Sequence, residues 1–333
     1  MKKNKFKNQN ILIAGGTGLV GQPLTRLLLE RGANVFVASL DNKSLVNKRV
    51  SRFYDLDLRV LKNCITVSKG KDIVFSLLGV TGSPAVNNSR PATFMNTNML
   101  LAFNMLEGAR IAGVKEYLYT STYGVYSHSG KMKEDQMWNA NPSYNDRFAG
   151  WAKRMGELQI EAYKIEHNWK KIYNVRPANI YGPYANFSDA NSMVIPSLIK
   201  KFASGKNPIK VWGNGVAVRD FINSKDVARM MIKVVEKEYE KPINLGSGKG
   251  TSIKQLVKII SESRYLKTKS KVIFDKSKPS GDKIRLLDTS KANKLGIKPI
   301  VVLSEGINEM IKWYIENKNK KIINQKYNAF QES

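Results

Sequence analysis

Short runs of apolar residues alternate along the chain with longer amphipathic segments. The apolar runs predict strands at 11–14, 34–38, 72–77, 116–120, 171–175 and 242–245. Apolar residues at helical spacing predict helices at 22–31, 91–111, 147–166, 192–203, 224–237, 252–262 and 303–316. This alternation is typical of an α/β fold in which helices cover both faces of a doubly wound parallel sheet.

A glycine-rich turn joins the first predicted strand to the first predicted helix. Gly15, Gly18 and Gly21 are spaced three residues apart. The first glycine permits a tight turn, the second lets a pyrophosphate approach the backbone, and the third lets helix and strand pack closely. The helix N-terminus would then offer free N–H groups to the phosphates. The pattern predicts a Rossmann dinucleotide-binding fold, and the alternative is a glycine-rich turn in some other α/β protein.

The pattern becomes less regular after Pro177, where residues 179–184 are typical of turns. Later segments at 272–274 and 288–295 indicate a second, smaller lobe that is built from separated parts of the chain. We therefore expect an NAD(P)-binding Rossmann domain at 1–178, to which 216–250 returns, a discontinuous α/β substrate-binding lobe at 179–215 and 251–320, and a tail at 321–333.

Composition restricts the protein to a few classes. With 333 residues, of which 42% are hydrophobic, we expect a globular chain of one large or two joined domains. No apolar run reaches membrane-spanning length, and the basic N-terminus leads into a strand rather than a signal-peptide core. The one cysteine, Cys64, excludes an internal disulfide and favours a reducing compartment, so we expect a cytoplasmic protein. His128 and His167 are far apart, and no metal site is predicted.

The chain is strongly basic, with 55 basic and 27 acidic residues and a net charge of +28. Such an excess can indicate binding to nucleic acid or to an anionic membrane. Apart from a dense run at 317–321, the lysines are scattered among many asparagines. This scattered distribution is more typical of a compositional bias. We therefore expect neither nucleic acid nor membrane as a partner, while the charge favours a small anionic substrate.

Further motifs resemble the extended short-chain dehydrogenase/reductases, the NAD(P)-dependent epimerase/dehydratase family, over about residues 9–316. They are Asp57-Leu58, the strand that ends in Leu78-Gly79, Asn98, Tyr119–Thr122, Lys153, Arg176–Pro183 and Arg219–Ile222. Within the family, the stretch from Asn179 to Phe202, the segment 211–215 and Arg219 are most similar to the GDP-fucose synthases. The resemblance implies an NAD(P)-dependent epimerase or oxidoreductase that acts on a nucleotide sugar, with GDP as the favoured nucleotide. It also implies a homodimer formed through two long helices.

By this resemblance, a cofactor would lie along the glycine turn and the ends of neighbouring strands. The implied cofactor residues are Gly15, Thr17, Gly18, Leu19, Val20, Gly21, Ser39, Asp41, Asp57, Leu58, Leu78, Gly79, Lys153 and Pro177. The second strand of this fold usually ends in an acid that binds the ribose hydroxyls and selects NAD. That position is Ser39, and Asp41 follows two residues later. The choice between NAD and NADP stays open. Lys43 could bind the 2′-phosphate of NADP, whereas Asp41 favours NAD.

The resemblance also implies a set of substrate-binding residues. They are Thr122, Asn179, Met193, Val194, Trp212, Arg219 and Arg285. Arg219 suits a diphosphate because a guanidinium binds such oxygens bidentately. The alternative for Arg219 is an ion pair with Asp220 or Asp226, and Trp212 could instead be an ordinary core residue.

The catalytic set of the family is a Ser or Thr followed by Tyr-x-x-x-Lys. The lysine holds the nicotinamide ribose and lowers the pKa of the tyrosine, which moves a proton on the sugar hydroxyl that the Ser or Thr polarises. Thr122 and Lys153 match this set, but Ala149 occupies the tyrosine position. The chain is therefore an engineered Tyr→Ala variant, a natural enzyme with another acid/base, or a protein that lost this chemistry. Tyr123 is the candidate substitute, and we expect Tyr126 to be structural.

Two other departures from the family's sequence pattern limit the reactions that the chain could catalyse. GDP-fucose synthases carry a cysteine where this chain has Gly124 and a histidine where it has Met193, and a dehydratase would carry an acidic pair just after the threonine. Because Tyr123-Gly124 follows Thr122, we expect no carboxylate placed to take a proton from C5 of the sugar. These absences favour hydride transfer at sugar C4. The alternatives are a non-catalytic or engineered-inactive nucleotide-sugar binding protein, and a nucleotide-sugar dehydratase.

Overall fold

A computed structural model describes residues 4–80, 82, 89–127, 130–188, 192–266, 270–277 and 282–320. The strands are β1 (Asn10–Ala14), β2 (Asn34–Ala38), β3 (Arg52–Tyr54), β4 (Ile73–Ser76), β5 (Glu116–Thr120), β6 (Lys131–Met132), β7 (Ile172–Pro177), β8 (Asn179–Tyr181), β9 (Ile209–Trp212), β10 (Val218–Asn223), β11 (Ile243–Leu245), β12 (Gly250–Ser252), β13 (Val272–Asp275) and β14 (Ile284–Leu287). The helices are α1 (Gly21–Glu30), α2 (Leu61–Ser68), α3 (Pro91–Ile111), α4 (Arg147–Glu166), α5 (Val194–Ala203), α6 (Ser224–Glu236), α7 (Ile253–Ser261), α8 (Ser290–Lys294) and α9 (Leu303–Asn317).

The largest sheet has seven parallel strands in the order β11-β7-β5-β4-β1-β2-β3. β1 lies near its centre, and its residues 11–14 are apolar without interruption because helices cover both faces of the sheet. Ile11 and Ile13 point into one core, and Leu12 and Ala14 point into the other. The six predicted strands all belong to this sheet, and the seventh, β3, was not predicted.

Helices cover the two faces of this sheet as separate layers. α1 and α6 bury Leu28 and Val235 against one face. α2, α3 and α4 bury Cys64, Met105 and Ile160 against the other. None of the helices in the described ranges combines the length and the apolar character that are needed to cross a membrane.

A second group of strands lies beyond the carboxyl end of β7. β12, β10, β14 and β6 form one sheet in that order, with β8 beside β10, and β9 pairs with β13. A third core draws on residues between Tyr181 and Tyr314, among them Phe187 and Phe202. β10 belongs to the second sheet, whereas α6 packs on the first sheet and β11 is one of its strands. The domain boundaries at 178/179, 215/216 and 250/251 stay a prediction.

Candidate active site

Close backbone contacts shape the glycine turn between β1 and α1. Gly15 has a φ of +85°, and its N–H donates to the carbonyl of Ala38 at 2.8 Å. A Cβ on Gly21 would lie 2.4 Å from the carbonyl oxygen of Gly15, so only glycine lets α1 begin this close to the turn. A Cβ on Gly18 would meet only that same oxygen, at 3.2 Å. The backbone at Gly18 therefore stays open on one side, and this geometry fits the phosphates of a dinucleotide.

The end of β2 meets the glycine turn through hydroxyl and carboxylate groups. The hydroxyl of Thr17, which is buried, lies 2.7 Å from both Ser39 Oγ and Asp41 Oδ2. The backbone N–H of Asp41 also donates to Ser39 Oγ at 3.1 Å. The two residues predicted to select the cofactor are therefore brought together beside the turn. Leu19 and Val20, which follow in the turn, pack towards different cores.

Lys153 projects from the second turn of α4 to the ends of two strands. Its ammonium group donates to the carbonyl of Leu78 at 2.8 Å and to that of Thr120 at 2.9 Å. A Cβ on Gly79 would lie 3.3 Å from the same nitrogen. Burial lowers the pKa of Lys153 to about 8, although the negative charge of Glu157 opposes this shift. The structure thus brings Lys153, Leu78 and Gly79 together, as the resemblance implies.

Thr122 and Tyr123 follow β5 in a short 3-10 turn. Thr122 Oγ1 accepts the N–H of Gly124 at 3.2 Å, and the Tyr123 hydroxyl donates to Asn179 Oδ1 at 2.8 Å. Asn179 in turn donates to the carbonyl of Asp220 at 3.0 Å. Burial raises the pKa of Tyr123, while the nearby Arg285 guanidinium opposes the shift. Tyr123 is therefore a neutral phenol whose proton is already used in a hydrogen bond.

The start of α4 supplies a carboxylate that the sequence did not indicate. Asp146 precedes the helix, and Ala149 lies in its first turn. A Cβ built on Gly124 would lie 3.4 Å from Asp146 Cβ, 3.5 Å from Asp146 Cγ and 3.3 Å from Thr122 Cγ2. A carboxylate therefore lies close to the point that a side chain at position 124 would occupy, and the expectation that no carboxylate can take a proton from C5 of the sugar stays a prediction. The carboxylate reaches that position through packing of the α4 N-terminus on the 123–125 turn, and not from a neighbouring residue in sequence.

Arg219 and Arg285 lie opposite each other in the register of β10 and β14. Arg285 is 4% exposed, forms ion pairs with Asp146 and with Asp282 (3.6 Å), and lies 4.5 Å above the ring of Tyr123. Arg219 donates to the carbonyls of Val218 at 2.8 Å and Asp282 at 2.7 Å, and burial lowers its pKa. The two guanidinium groups form a basic cluster on the second sheet, close to Tyr123.

Neither carboxylate considered as a partner for Arg219 contacts it. Asp220 accepts hydrogen bonds from the N–H of Ser247 at 2.9 Å and from that of Gly248 at 3.1 Å. Asp226 forms an ion pair with Arg229 and accepts hydrogen bonds from two backbone N–H groups that precede α9 in the chain. Neither of these two ion pairs is therefore formed, and the ligand-binding role of Arg219 stays a prediction.

Four other predicted residues lie at the ends of strands or helices: Trp212, Met193, Val194 and Pro177. Trp212 is 61% exposed at the end of β9, so it is not a core residue, and Met193 is 39% exposed just before Val194 begins α5. Pro177 ends β7, next to Ala178, whose N–H donates to Leu245.

Asp57 and Leu58 follow β3 at the edge of the sheet. The carboxylate of Asp57 forms an ion pair with Arg59 at 2.7 Å. Burial raises the pKa of Asp57, but the hydrogen bonds from Arg59 outweigh it and the pKa is lowered overall. Leu58 is buried, and its carbonyl accepts a hydrogen bond from Cys64.

A buried polar network adjoins the turn that carries Thr122 and Tyr123, and sequence reasoning did not find it. Arg176 donates to Glu157 Oε2 at 2.6 Å and to the hydroxyl of Tyr126 at 2.7 Å, and Ser121 Oγ donates to Glu157 at 2.5 Å. The Tyr126 hydroxyl donates to Asn244 at 2.8 Å, which is the structural role expected of it. Since Ser121 precedes Thr122, the network fixes the backbone that carries the candidate hydroxyl.

Similarity to known proteins shows which family the fold and the sequence are typical of. The sequence profile described as the NAD dependent epimerase/dehydratase family matches residues 11–246. The probable GDP-L-fucose synthase 1 of Oryza sativa subsp. japonica is 30% identical over 322 residues, which cover 93% of each chain. The GDP-L-fucose synthase of Escherichia coli strain K12 is 28% identical, and the alignment covers 95% of this chain and 99% of that protein.

Solved structures show the same fold. UDP-glucose 4-epimerase of Thermotoga maritima superimposes with a TM-score of 0.79 at 25% identity, covering 93% of this chain and 100% of that one. The predicted Rossmann fold class and the resemblance to the GDP-fucose synthases are thereby confirmed.

Proposed function

The chain belongs to the NAD dependent epimerase/dehydratase family, and on that premise we propose that it is a nucleotide-sugar oxidoreductase or epimerase. Its reaction is hydride transfer between NAD or NADP and C4 of the sugar. GDP is the favoured nucleotide, because the GDP-L-fucose synthases align with nearly the whole chain. The observation that carries the proposal is the position of Lys153, whose ammonium group lies beside Gly79 and next to the turn that holds Thr122.

Each side chain of the site has a distinct task in this proposal. A lysine ammonium group has three N–H donors, and two of those of Lys153 are used on Leu78 and Thr120, so one is available for a ribose hydroxyl. Thr122 positions the oxygen on C4 of the sugar. Arg219 and Arg285 bind the diphosphate, because paired guanidinium groups present several parallel donors. The bound nicotinamide would supply or accept the hydride.

The choice between NAD and NADP rests on the end of β2. Asp41, beside Thr17 and Ser39, puts a carboxylate where a 2′-phosphate would be repelled. Lys43, two residues further on, would attract that phosphate instead. We propose NAD as the preferred cofactor.

Ala149 is the feature that sets this chain apart from the catalytic pattern. Its methyl group transfers no proton, and the phenol of Tyr123 is already hydrogen-bonded to Asn179. The hydride step would therefore lack the usual acid/base at the C4 oxygen. General acid–base catalysis of this kind increases the rate roughly a hundred- to ten-thousand-fold. Ala149 also favours a second candidate function, a nucleotide-sugar binding protein without catalysis.

The test is single-turnover absorbance of the nicotinamide with a panel of GDP-linked and other nucleotide sugars. We expect slow hydride transfer in the wild type and at least about a tenfold increase in Ala149→Tyr, because tyrosine and Lys153 would share one helix face. Ala149→Phe adds the ring without the hydroxyl and is the matched control, which should give no increase.

Two outcomes decide between the candidates. Nicotinamide turnover in neither the wild type nor Ala149→Tyr, together with tight binding of the nucleotide sugar, would establish the binding protein instead. If Ala149→Tyr is inert while Tyr123→Phe abolishes turnover, Tyr123 is the natural acid/base and the interpretation of position 149 fails.

A further inference from the structure

A buried ion pair joins Glu157 on α4 to Arg176 on β7, and neither residue belongs to the catalytic set. The side chain of Glu157 is 4% exposed and that of Arg176 is 2% exposed. The guanidinium donates to Glu157 Oε1 at 3.0 Å and to Oε2 at 2.6 Å, so both carboxylate oxygens are bonded. Removing two charges from water costs about as much free energy as their attraction returns. Stability alone is therefore a weak explanation for this pair.

Glu157 holds the turn that carries Thr122. Ser121 directly precedes Thr122 and is buried, and its hydroxyl donates to Glu157 Oε1 at 2.5 Å. The backbone N–H of Ser121 donates to the carbonyl of Val175 on β7 at 2.8 Å. Ser121 is therefore fixed by two elements, by β7 through its backbone and by α4 through Glu157. A hydrogen bond to a charged acceptor is a strong one, so loss of the carboxylate should loosen the turn.

Glu157 also acts on Lys153 through space. The two residues are four positions apart in α4 and therefore lie on the same face of the helix. Burial lowers the pKa of Lys153 to about 8, and the negative charge of Glu157 opposes this shift. Without that charge the pKa of Lys153 would be lower still, and more of this side chain would be a neutral amine at neutral pH.

The other groups around Lys153 leave Glu157 as the deciding charge. From β5, the ring centre of Tyr119 lies 5.1 Å from the ammonium nitrogen, and burial raises the pKa of this phenol well above its usual range, so it stays neutral. From β7, Arg176 is charged, but its hydrogen bonds go to Glu157 and to the hydroxyl of Tyr126. The contacts from the ends of β4 and β5 are carbonyl groups, which are neutral.

We propose that Glu157 is a positioning residue for both Thr122 and Lys153: through Ser121 it fixes the turn, and with its negative charge it keeps Lys153 in the ammonium form. The inference rests on the proposed nucleotide-sugar function, in which Thr122 positions the sugar oxygen and Lys153 binds the ribose of the cofactor. Both oxygens of Glu157 accept hydrogen bonds inside the protein, so it acts through other residues and not on the substrate. A charged ammonium group is the stronger donor, so its retention favours cofactor binding.

The first experiment titrates Lys153 in the full-length protein without cofactor or sugar. Acetic anhydride modifies only the neutral amine, and mass spectrometry of the peptide that contains the half-buried Lys153 gives the midpoint of its titration. We expect a midpoint at about pH 8 in the wild type. In Glu157→Gln we expect it about one pH unit lower, because a negative charge is lost one helical turn away. Glu157→Asp keeps the charge and should restore most of this difference.

Glu116→Gln is the matched control, since it removes another buried carboxylate. Glu116 accepts a hydrogen bond from Tyr173 at 2.7 Å at the amino end of β5, whereas Lys153 contacts the carboxyl end of that strand. We expect the wild-type midpoint in this variant. Ser121→Ala removes the hydrogen bond to the turn but keeps the charge of Glu157, so it should also show the wild-type midpoint.

Hydrogen exchange measures the link to the turn. Amide exchange in residues 121–125 should be at least about tenfold faster in Glu157→Gln and in Ser121→Ala than in the wild type, because a hydrogen bond to a charged acceptor is lost. Unchanged exchange in either variant overturns the role of Glu157 in fixing Thr122.

An unchanged midpoint in Glu157→Gln overturns the effect on Lys153, and so does an equal fall in Glu116→Gln. Thermal unfolding shows whether Glu157→Gln is folded. If it is not, the double variant Glu157→Gln with Arg176→Gln leaves neither charge of the pair without its partner and should show the same fall of the midpoint.

Binding of NAD(P), measured by calorimetry at pH 8, tests the proposed function separately. We expect about fivefold weaker binding in Glu157→Gln, because the ammonium fraction of Lys153 falls from about one half to about one tenth. A lower midpoint with unchanged cofactor affinity supports the action of Glu157 on Lys153 while contradicting the proposed role of Lys153. An unchanged midpoint contradicts the action of Glu157, whether or not the cofactor binds.

Discussion

The ammonium group of Lys153 is held by two backbone carbonyls, and no carboxylate among the described residues forms an ion pair with it. Its hydrogen bonds to Leu78 and Thr120 fix its direction, but neutral acceptors do not fully compensate for the lost hydration of a charge. Burial therefore lowers its pKa to about 8. Charge at this position is present below that pH and is lost as pH rises through it.

We predict that this titration appears in the pH dependence of the reaction. kcat/KM for the cofactor reports groups of the free enzyme, so it should fall as pH rises through about 8, where Lys153 loses its proton. Lys153→Arg keeps its charge at all accessible pH values and should remove the fall, even if its overall rate is lower. A fall that persists unchanged in Lys153→Arg would assign the titration to another group.

The predictable part of the site consists of residues in recognisable motifs. Gly15, Gly18 and Gly21 follow β1 at a fixed spacing whose purpose follows from local geometry, whereas Thr122 and Lys153 are indicated by the family resemblance, and their roles stay a prediction. Asp146 could not be found in this way, because its ion pair with Arg285 joins residues 139 positions apart. Nothing in the sequence around Asp146 indicates that contact.

At the level of elements, the bounds of the two longest helices were predicted accurately, whereas some short elements were missed. The predicted helices at 91–111 and 147–166 coincide with α3 and α4. α2 has eight residues and no side-chain cap at its N-terminus, and β3 has three residues at the sheet edge. Both are held by contacts with the sheet and not by local preference, so neither was predicted.

α3 and α4 also carry the predicted dimer surface. Phe94 and Met105 on α3 are buried in the fold and cover the sheet, so they are not part of such a surface. Leu158 is 46% exposed, and other exposed apolar residues on the two helices are Leu100, Ile111 and Ile165. Four exposed apolar side chains on adjacent helices favour a self-complementary interface.

We therefore predict a homodimer that forms through α3 and α4. Leu158→Glu should convert it to a monomer, because a two-fold interface would bring two added carboxylates close to apolar surface. Light scattering at micromolar concentration measures the change. Ile300→Glu places the same charge on an exposed apolar residue away from these helices and should leave the dimer intact. A wild-type monomer would contradict the prediction.

The surplus of positive charge lies mostly outside the site. In the site, Arg219 and Arg285 are accompanied by Asp146 and Asp282, so the positive cluster is close to neutral at short range. The net charge of +28 belongs to the rest of the chain. Attraction of an anionic substrate from a distance must therefore come mainly from the overall surplus, and a bound diphosphate must compete with Asp146 for Arg285.

Long-range attraction of this kind is screened by salt, and this gives a prediction for the whole molecule. The Debye length shortens from about 30 Å at 0.01 M to about 10 Å at 0.1 M ionic strength, so binding of GDP should weaken markedly over this range. Guanosine, which carries the same base without phosphates, should bind with little dependence on salt and serves as the control. Dissociation constants from calorimetry at several salt concentrations measure both. Equal salt dependence for GDP and guanosine would show that the surplus charge has no part in binding the substrate, and that the lysine excess only reflects composition.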